Sequence, residues 1–206
     1  MYARTTYTVG DPAQIEHSIE GLRTEGPKLL AECPGYRSFG LFADREQGKI
    51  ATASWWETAS DRANSDARLR ERRAELLTPF ADSVAADDFE VAAFSAADEL
   101  ASATKFRLGR FMIDPARIDE LVEVFRDRGL PRMHDLSGFC GTALFVNREF
   151  GYGGVGTLFR DVAALAASRT PQSLARREAV QRTGLRVISQ EELDVILVED
   201  NPDVPR

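Results

Sequence analysis

Two histidines are the side chains best suited to acid–base chemistry in this chain, because imidazole changes its charge near neutral pH. His17 lies between Ile15 and Ile19 at helical spacing, which predicts that its ring points to solvent. His134 precedes Asp135, whose carboxylate could orient the ring as a general base, although a surface position at a helix end is the simpler explanation. No residues show the spacing of a Ser–His–Asp triad or a metal site, so the catalytic residues are unknown and no metal is expected.

Aromatic residues near the ends of predicted strands could line a pocket for an apolar ligand. Trp55 and Trp56 are consecutive in one strand, so their side chains should face opposite sides of the sheet. Tyr36 and Phe139 each follow a glycine at the start of a strand. Core packing is the alternative explanation for all of them. The candidate ligand-pocket residues are Trp56, Trp55, Tyr36, His134, Phe139, Tyr152 and Phe159.

The segment 151–156, with the sequence GYGGVG, has the composition of a phosphate-binding loop. It stands between two predicted strands, whereas a phosphate loop precedes a helix, so a hairpin with a bulge is the better interpretation. Glycines leave space that side chains would otherwise fill. We therefore expect the roomier cavity in this half of the chain, near His134 and Tyr152, with Trp56 marking the competing site.

The chain repeats itself at an offset of 103 residues, without a gap from about residue 4 to residue 65. Residues 11–13 match 114–116, residues 41–48 match 144–151, and Arg4 falls on Arg107. An arginine at both positions could bind an anion or form an ion pair. The predicted domains are 1–95, a linker 96–103 rich in alanine and serine, and a more divergent second copy, 104–206.

Each half is predicted to follow the order βαββαβ. The predicted strands are 3–9, 36–43, 50–56 and 88–94, then 104–112, 139–146, 152–159 and 192–199; the predicted helices are 11–30, 60–77, 114–130 and 161–182. This is the ferredoxin-like pattern, which covers one face of a sheet with helices and leaves the other apolar. The predicted fold class is therefore α+β, with tandem ferredoxin-like repeats forming an intramolecular dimeric α+β barrel. The two halves would form an internal pseudo-dimer, and the sequence leaves open whether two chains also form a homodimer.

Three short motifs resemble the antibiotic biosynthesis monooxygenase (ABM) family of the dimeric α+β barrel superfamily. They are Pro34-Gly35-Tyr36, the hairpin Asp44–Gly48, and Trp56-Glu57-Thr58. The second half departs from them, with Ser137, Asn147 and Phe159-Arg160-Asp161 at the matching positions.

The resemblance implies a cofactor-independent monooxygenase acting on a small aromatic or polyketide-like compound. The implied partner is thus a small hydrophobic or aromatic molecule, and no cofactor is expected. A non-catalytic binding or stress-associated protein with the same barrel is the alternative. Haem degradation is disfavoured, because neither second helix contains the histidine that ligates iron in that branch of the family.

Composition and charge narrow the remaining possibilities. A net charge of -7 argues against a nucleic-acid partner, which would need a basic face. No apolar run is long enough for a signal peptide or a membrane span, so no membrane partner is expected. The two cysteines, Cys33 and Cys140, are too few for a disulfide framework and occupy non-equivalent positions. A cytoplasmic location is predicted.

Overall fold

A computed structural model describes residues 1–97 and 100–199 of the chain. The strands are β1 (Tyr2–Gly10), β2 (Tyr36–Asp44), β3 (Lys49–Trp56), β4 (Ala81–Ala96), β5 (Lys105–Met112), β6 (Phe139–Asn147), β7 (Tyr152–Phe159) and β8 (Arg186–Val198). The helices are α1 (Ile15–Ala31), α2 (Ala59–Leu77), α3 (Ile118–Val124), α4 (Leu130–His134), α5 (Val162–Ala167) and α6 (Arg169–Thr183). A π-helical segment, Phe125–Gly129, joins α3 to α4.

The strands are hydrogen-bonded in the order β1-β3-β2-β8-β5-β7-β6-β4 and close into an eight-stranded barrel. The predicted α+β barrel class is confirmed. Residues 98 and 99 of the predicted linker and residues 200–206 of the predicted second domain lie outside the described residues. In the described part of the chain, no helix combines the length and apolarity needed to cross a membrane.

The chain divides into two compact units. The first unit is Met1–Phe89 with the chain from Asp194, and the second is Glu90–Leu193. The strands β4 and β8 therefore each contribute to both units. The C-terminal part of β8 pairs with β2 in the first unit, and the C-terminal part of β4 pairs with β6 in the second.

The helix starts follow the sequence prediction closely. Asp11 accepts a hydrogen bond from the amide of Ala13 at 2.9 Å, and Asp114 does the same for Ala116 at 2.9 Å. These aspartates satisfy amide groups that have no partner at the start of a helix. Helix formation begins with a short 3-10 turn in both places.

Three features differ from the prediction, the first being that the predicted helix 161–182 is divided at Ser168 into α5 and α6. The fourth strand of each half begins earlier than expected. The sequence did not reveal these starts, because the first residues of both strands are largely exposed and lack the alternation that marks a half-buried strand. The predicted helix 114–130 is irregular. Pro131 has no amide hydrogen to donate, and the amide of Leu130 donates to the carbonyl of Phe125, five residues earlier.

Each unit has its own apolar core between helices and sheet. In the first unit, Ile15, Ile19 and Leu22 of α1 pack with Leu41 and Trp56 of the strands. In the second unit, the core residues include Ile118, Leu121, Phe125, Leu144 and Val146. The helical spacing of the first set is the pattern that the sequence analysis used to place helix α1.

Asp66 on α2 is the centre of a cluster of arginines in the first unit. Its carboxylate lies 2.9 Å from Arg4 and 2.8 Å from Arg73, and it also pairs with Arg70. Burial raises the pKa of Asp66, but the hydrogen bonds from Arg73 and Arg70 and the charge of Arg4 outweigh it and lower the pKa to about 2.

We expect Asp66→Asn to lower the free energy of unfolding by about 2 kcal/mol at pH 7. Because the folded pKa lies below the unfolded value of 3.8, ionised Asp66 contributes stability that is lost as pH falls through the folded pKa of about 2. Urea unfolding at pH 7 and at pH 3 should therefore show a smaller difference between wild type and variant at the lower pH. The exposed Glu71→Gln on the same helix is the control. An equal loss of stability from both variants at pH 7 would contradict this role.

Candidate functional site

A cavity of about 120 Å³ lies between the helices and the strands of the second unit. It is lined by α3, the π-helical segment, α4 and α6 on one side and by residues of β5, β7 and β8 on the other. The apolar lining residues are Phe111, Leu121, Val124, Phe125, Met133, Val155, Ala175, Ala179, Leu185 and Val187. The polar ones are Arg107, Arg110, Arg128, Arg132, Thr157, Gln172, Arg176, Glu178, Ser189 and Gln190.

Arg107 anchors the polar wall of this cavity, although its side chain is only 4% exposed. It donates to Glu192 at 2.6 and 3.1 Å, to the Ser168 hydroxyl at 2.8 Å and to the Leu165 carbonyl at 2.9 Å. A further bond runs from Arg107 to the amide oxygen of Gln172. All five N–H groups of the guanidinium are thus used by the protein itself. Arg107 therefore shapes the site as a fixed positive charge and has no donor left for a ligand.

Gln172 links Arg107 to the centre of the sheet. Its amide nitrogen donates to Thr157 at 3.3 Å and to the Met133 sulfur at 3.2 Å. Thr157 in turn lies 3.2 Å from the hydroxyl of Thr142. Because this chain of polar groups is satisfied internally, it fixes one wall of the cavity in place.

The π-helical segment contributes Phe125, Arg128 and Gly129 to the lining. A π turn is wider than an α turn and is often found at functional sites. The corresponding helix of the first unit, α1, is continuous from Ile15 to Ala31. The irregular helix therefore distinguishes the second unit from the first.

Several arginines line the cavity besides Arg107. Arg128 and Arg132 both bind Glu178, at 2.7 and 2.6 Å, and their hydrogen bonds lower the pKa of that carboxyl. Arg176 is half-buried and donates to the amide oxygen of Gln190. Burial, reinforced by the charge of Arg107, lowers the pKa of Arg176.

A smaller cavity of about 70 Å³ occupies the first unit. Its polar lining includes Arg4, Thr6, Thr8 and Arg73. Arg4 is held by Asp88 at 2.9 and 3.1 Å, as Arg107 is held by Glu192. The arginines predicted to be equivalent thus both form ion pairs within their own unit. Of these two cavities, the one in the second unit is the larger, as the sequence analysis expected. The glycines that motivated this expectation lie against aromatic rings or backbone atoms, and none of them lines the cavity.

None of the seven aromatic and histidine candidates lines either cavity. Trp56 is 1% exposed and packs in the core, with its indole N–H donating to Ser54 at 3.0 Å. Tyr36 stacks edge-on against it at 5.8 Å and donates its hydroxyl hydrogen to Glu199. Trp55, on the other side of the strand, is half-buried.

The candidates of the second half are also placed away from the cavity. His134 lies 2.8 Å from the Ser95 hydroxyl and contacts the edge of Phe139, with ring centroids 5.1 Å apart. Tyr152 accepts a hydrogen bond from Asn147 at 3.4 Å, at the hairpin end of the sheet. Phe159 is fully buried beneath the Arg107 guanidinium. Phe159 thus supports the cavity wall from behind without lining it.

Apart from Arg107, the residues that line the larger cavity were missed by the sequence analysis. Gln172, Ala175, Arg176 and Ala179 recur at helical spacing on α6, and this mixed small and polar stripe was the available signal. It was hidden because an Arg- and Glu-rich helix looks like a solvated one. In residues 1–97 and 100–199, no cluster of three His, Cys, Asp or Glu side chains could hold a metal ion.

No family model matches the chain. Two uncharacterised proteins of Mycobacterium tuberculosis are similar to it. One is 27% identical over 194 residues, covering 94% of this chain and 84% of the relative, and the other is 24% identical over 198 residues, covering 96% and 84%.

Solved structures resemble the chain over nearly its whole length. A Fusobacterium nucleatum protein provisionally named a monooxygenase has a TM-score of 0.71 at 9% identity, covering 98% of this chain and 94% of its own. An anthrone oxidase-like protein has a TM-score of 0.70 at 16% identity, covering 96% and 92%. A haem-degrading enzyme of Listeria monocytogenes is more distant, with a TM-score of 0.56 at 8% identity, covering 94% and 99%. At such identities the likeness establishes the fold alone.

Proposed function

We propose that the chain consists of two tandem ABM-like copies and is an oxygenase that oxidises a small aromatic compound in the cavity of the second unit, without a resident cofactor. The observation that carries this proposal is the cavity itself, an apolar space with one fixed polar wall built on Arg107 and Gln172. Such a combination of apolar lining and a few oriented polar groups is typical of ligand sites. The monooxygenase names of the structural neighbours support the choice of chemistry.

The proposed reaction needs only the substrate and O₂. A methylene group activated by a neighbouring carbonyl or phenol loses a proton to water, and the resulting carbanion passes electrons to O₂. One oxygen atom becomes a carbonyl oxygen of the product and the other leaves as water, so that CH₂ and O₂ give C=O and H₂O. The positive charges of Arg107 and Arg176 favour the anion over the neutral substrate, because charges act strongly in a site with little water.

Haem degradation is not proposed, although one structural neighbour carries that activity. The lining of the larger cavity includes no histidine, cysteine or tyrosine that could ligate iron, and the sulfur of Met133 already accepts a hydrogen bond from Gln172. The donor set therefore does not fit a haem.

Filling the cavity should abolish oxidation. We expect Ala175→Phe, which places a ring in the cavity, to reduce the rate of O₂ uptake at least about tenfold, since one misplaced group in a reaction site has effects of this size. The measurement is O₂ consumption with aromatic compounds whose methylene is activated by a carbonyl or a phenol, from the one-ring para-hydroxyphenylacetone to the three-ring anthrone. Leu174→Phe, at an exposed position of the same helix, is the control and should leave the rate unchanged. Equal rates in the two variants would rule out this cavity as the reaction site.

A non-catalytic binding protein is the second candidate. It is favoured by the absence of a histidine, cysteine or tyrosine from the lining. The one carboxylate in the lining, Glu178, is held by Arg128 and Arg132, so it is not available as a general base. A wild-type protein that binds aromatic compounds in this cavity but consumes no O₂ with any of them would establish the binding function instead.

A further inference from the structure

The charges around the larger cavity are unequally compensated. Arg128 and Arg132 share Glu178, and Arg107 is paired with Glu192. Arg176 differs from these three. Within residues 1–97 and 100–199 it has no carboxylate within ion-pair distance, and its recorded partner is the neutral side chain of Gln190.

An unpaired guanidinium at a half-buried position is unfavourable. Burial removes part of its hydration, and the charge of Arg107 repels it, which is why the pKa of Arg176 is lowered. A negative group bound in the cavity would relieve both effects. Arginine is also the side chain whose geometry best matches a carboxylate, through two parallel hydrogen bonds.

Ser189 provides a second, independent observation. It lies on β8 next to Gln190, the residue that holds Arg176, and it lines the same cavity. Its hydroxyl oxygen is buried and has no hydrogen-bond partner among the described residues. Buried polar groups are nearly always hydrogen-bonded, so an unpaired hydroxyl on a residue that lines a cavity leaves a hydrogen bond for a ligand atom or a water molecule to make.

The size of the cavity limits the rest of the ligand. Its volume is about 120 Å³, and an apolar cavity of about 150 Å³ accommodates benzene. The apolar lining, with Phe111, Leu121 and Phe125, suits one ring or a branched alkyl group of similar volume. Larger ring systems would have to extend out of the cavity.

We propose that the ligand of this cavity is a compact carboxylate, with a body of about one aromatic ring, whose carboxylate is bound by Arg176 and the Ser189 hydroxyl. This inference deepens the proposed function and rests on it where the ligand is called a substrate. The binding site itself stands on the cavity, the uncompensated arginine and the unpaired hydroxyl.

Isothermal titration calorimetry with benzoate, benzyl alcohol and naphthoate tests the proposal on the full chain. We expect benzoate to bind more tightly than its neutral analogue, benzyl alcohol, and more tightly than the two-ring naphthoate. Arg176→Gln should weaken benzoate binding about tenfold or more, and Ser189→Ala about threefold to tenfold, because hydrogen bonds to a charged group are lost. Neither change should alter the affinity for benzyl alcohol by more than about twofold.

Arg177→Gln is the matched control, because Arg177 is the exposed neighbour of Arg176 on α6 and does not line the cavity. The proposal is overturned if benzoate and benzyl alcohol bind the wild type equally, or if Arg176→Gln and Arg177→Gln have the same effect. Binding is measured without O₂ consumption, so the two proposals can fail separately. Benzoate binding without any oxidation would refute only the oxygenase, whereas oxidation of neutral phenols by a wild-type protein that does not bind benzoate would refute only the carboxylate site.

Discussion

Replacing Arg107 with methionine is expected to lower the apparent free energy of unfolding by about 3–5 kcal/mol, because it removes one partner from a buried ion pair. The guanidinium is 4% exposed and makes five hydrogen bonds. Its loss leaves the Gln172 amide oxygen without its donor and removes one of the donors to Glu192 and to the Leu165 carbonyl. Methionine has a similar length and keeps much of the packing against Phe159. Urea unfolding followed by far-UV circular dichroism measures the loss.

Two variants separate the hydrogen bonds from the charge. Arg107→Lys keeps the charge but has three donors in place of five, so we expect it to recover only part of the stability. Arg4→Met removes the corresponding arginine of the first unit. It should be less harmful, because its partner Asp88 is 37% exposed and its other partner, Asp66, keeps its ion pairs with Arg70 and Arg73. A loss from Arg107→Met no greater than that from Arg4→Met would show that the buried wall adds nothing beyond an ordinary ion pair.

Arg107→Met should also change how the free energy of unfolding depends on pH. Hydrogen bonds from Arg169 and then Arg107 lower the pKa of Glu192 against the opposing effect of burial. A carboxyl with a lowered pKa adds stability above its unfolded pKa, and this stability is lost as the pH falls through the folded value. In Arg107→Met the pKa of Glu192 should move back towards its ordinary value of 4.5, so less stability should be lost between about pH 5 and pH 3.

Secondary structure was the part of the molecule most accessible from the sequence. The order of strands and helices depends on local patterns, such as the spacing of Ile15, Ile19 and Leu22 and the capping aspartates Asp11 and Asp114. The π turn was less accessible. It depends on the position of Pro131, which has no amide hydrogen, in a segment whose other residues are typical of an α-helix.

The candidate site was harder to predict because its residues are brought together by tertiary structure. Arg107, Gln172 and Glu192 belong to three separate elements, and nothing in the local sequence relates them. Aromatic residues attracted attention in their place, since aromatic side chains are common in ligand pockets. Trp56 and Phe159 are instead buried in the core, where large apolar side chains are found more often than in binding sites.

Trp56→Ala should therefore destabilise the first unit strongly, by about 3–5 kcal/mol, through loss of apolar contacts and the cavity that remains. Trp56 is among the largest fully buried side chains, and both Tyr36 and the core of α1 and the strands pack around it. Ser54→Ala should cost about 1–2 kcal/mol, because the buried indole N–H would lose its acceptor. Far-UV circular dichroism is the proper measurement, since removing a tryptophan also removes a fluorescence signal.

Trp55→Ala provides the control for this variant, because the neighbouring side chain points to the other side of the strand and is only half-buried. We expect Trp55→Ala to lower the free energy of unfolding clearly less than Trp56→Ala does. Neither tryptophan lines the cavity of the second unit, so benzoate affinity should be unchanged in whichever variant stays folded at the temperature of the titration. If Trp56→Ala keeps wild-type stability but loses ligand binding, the tryptophan belongs to a binding site after all, and the cavity on Arg107 and Arg176 is not where the ligand is held.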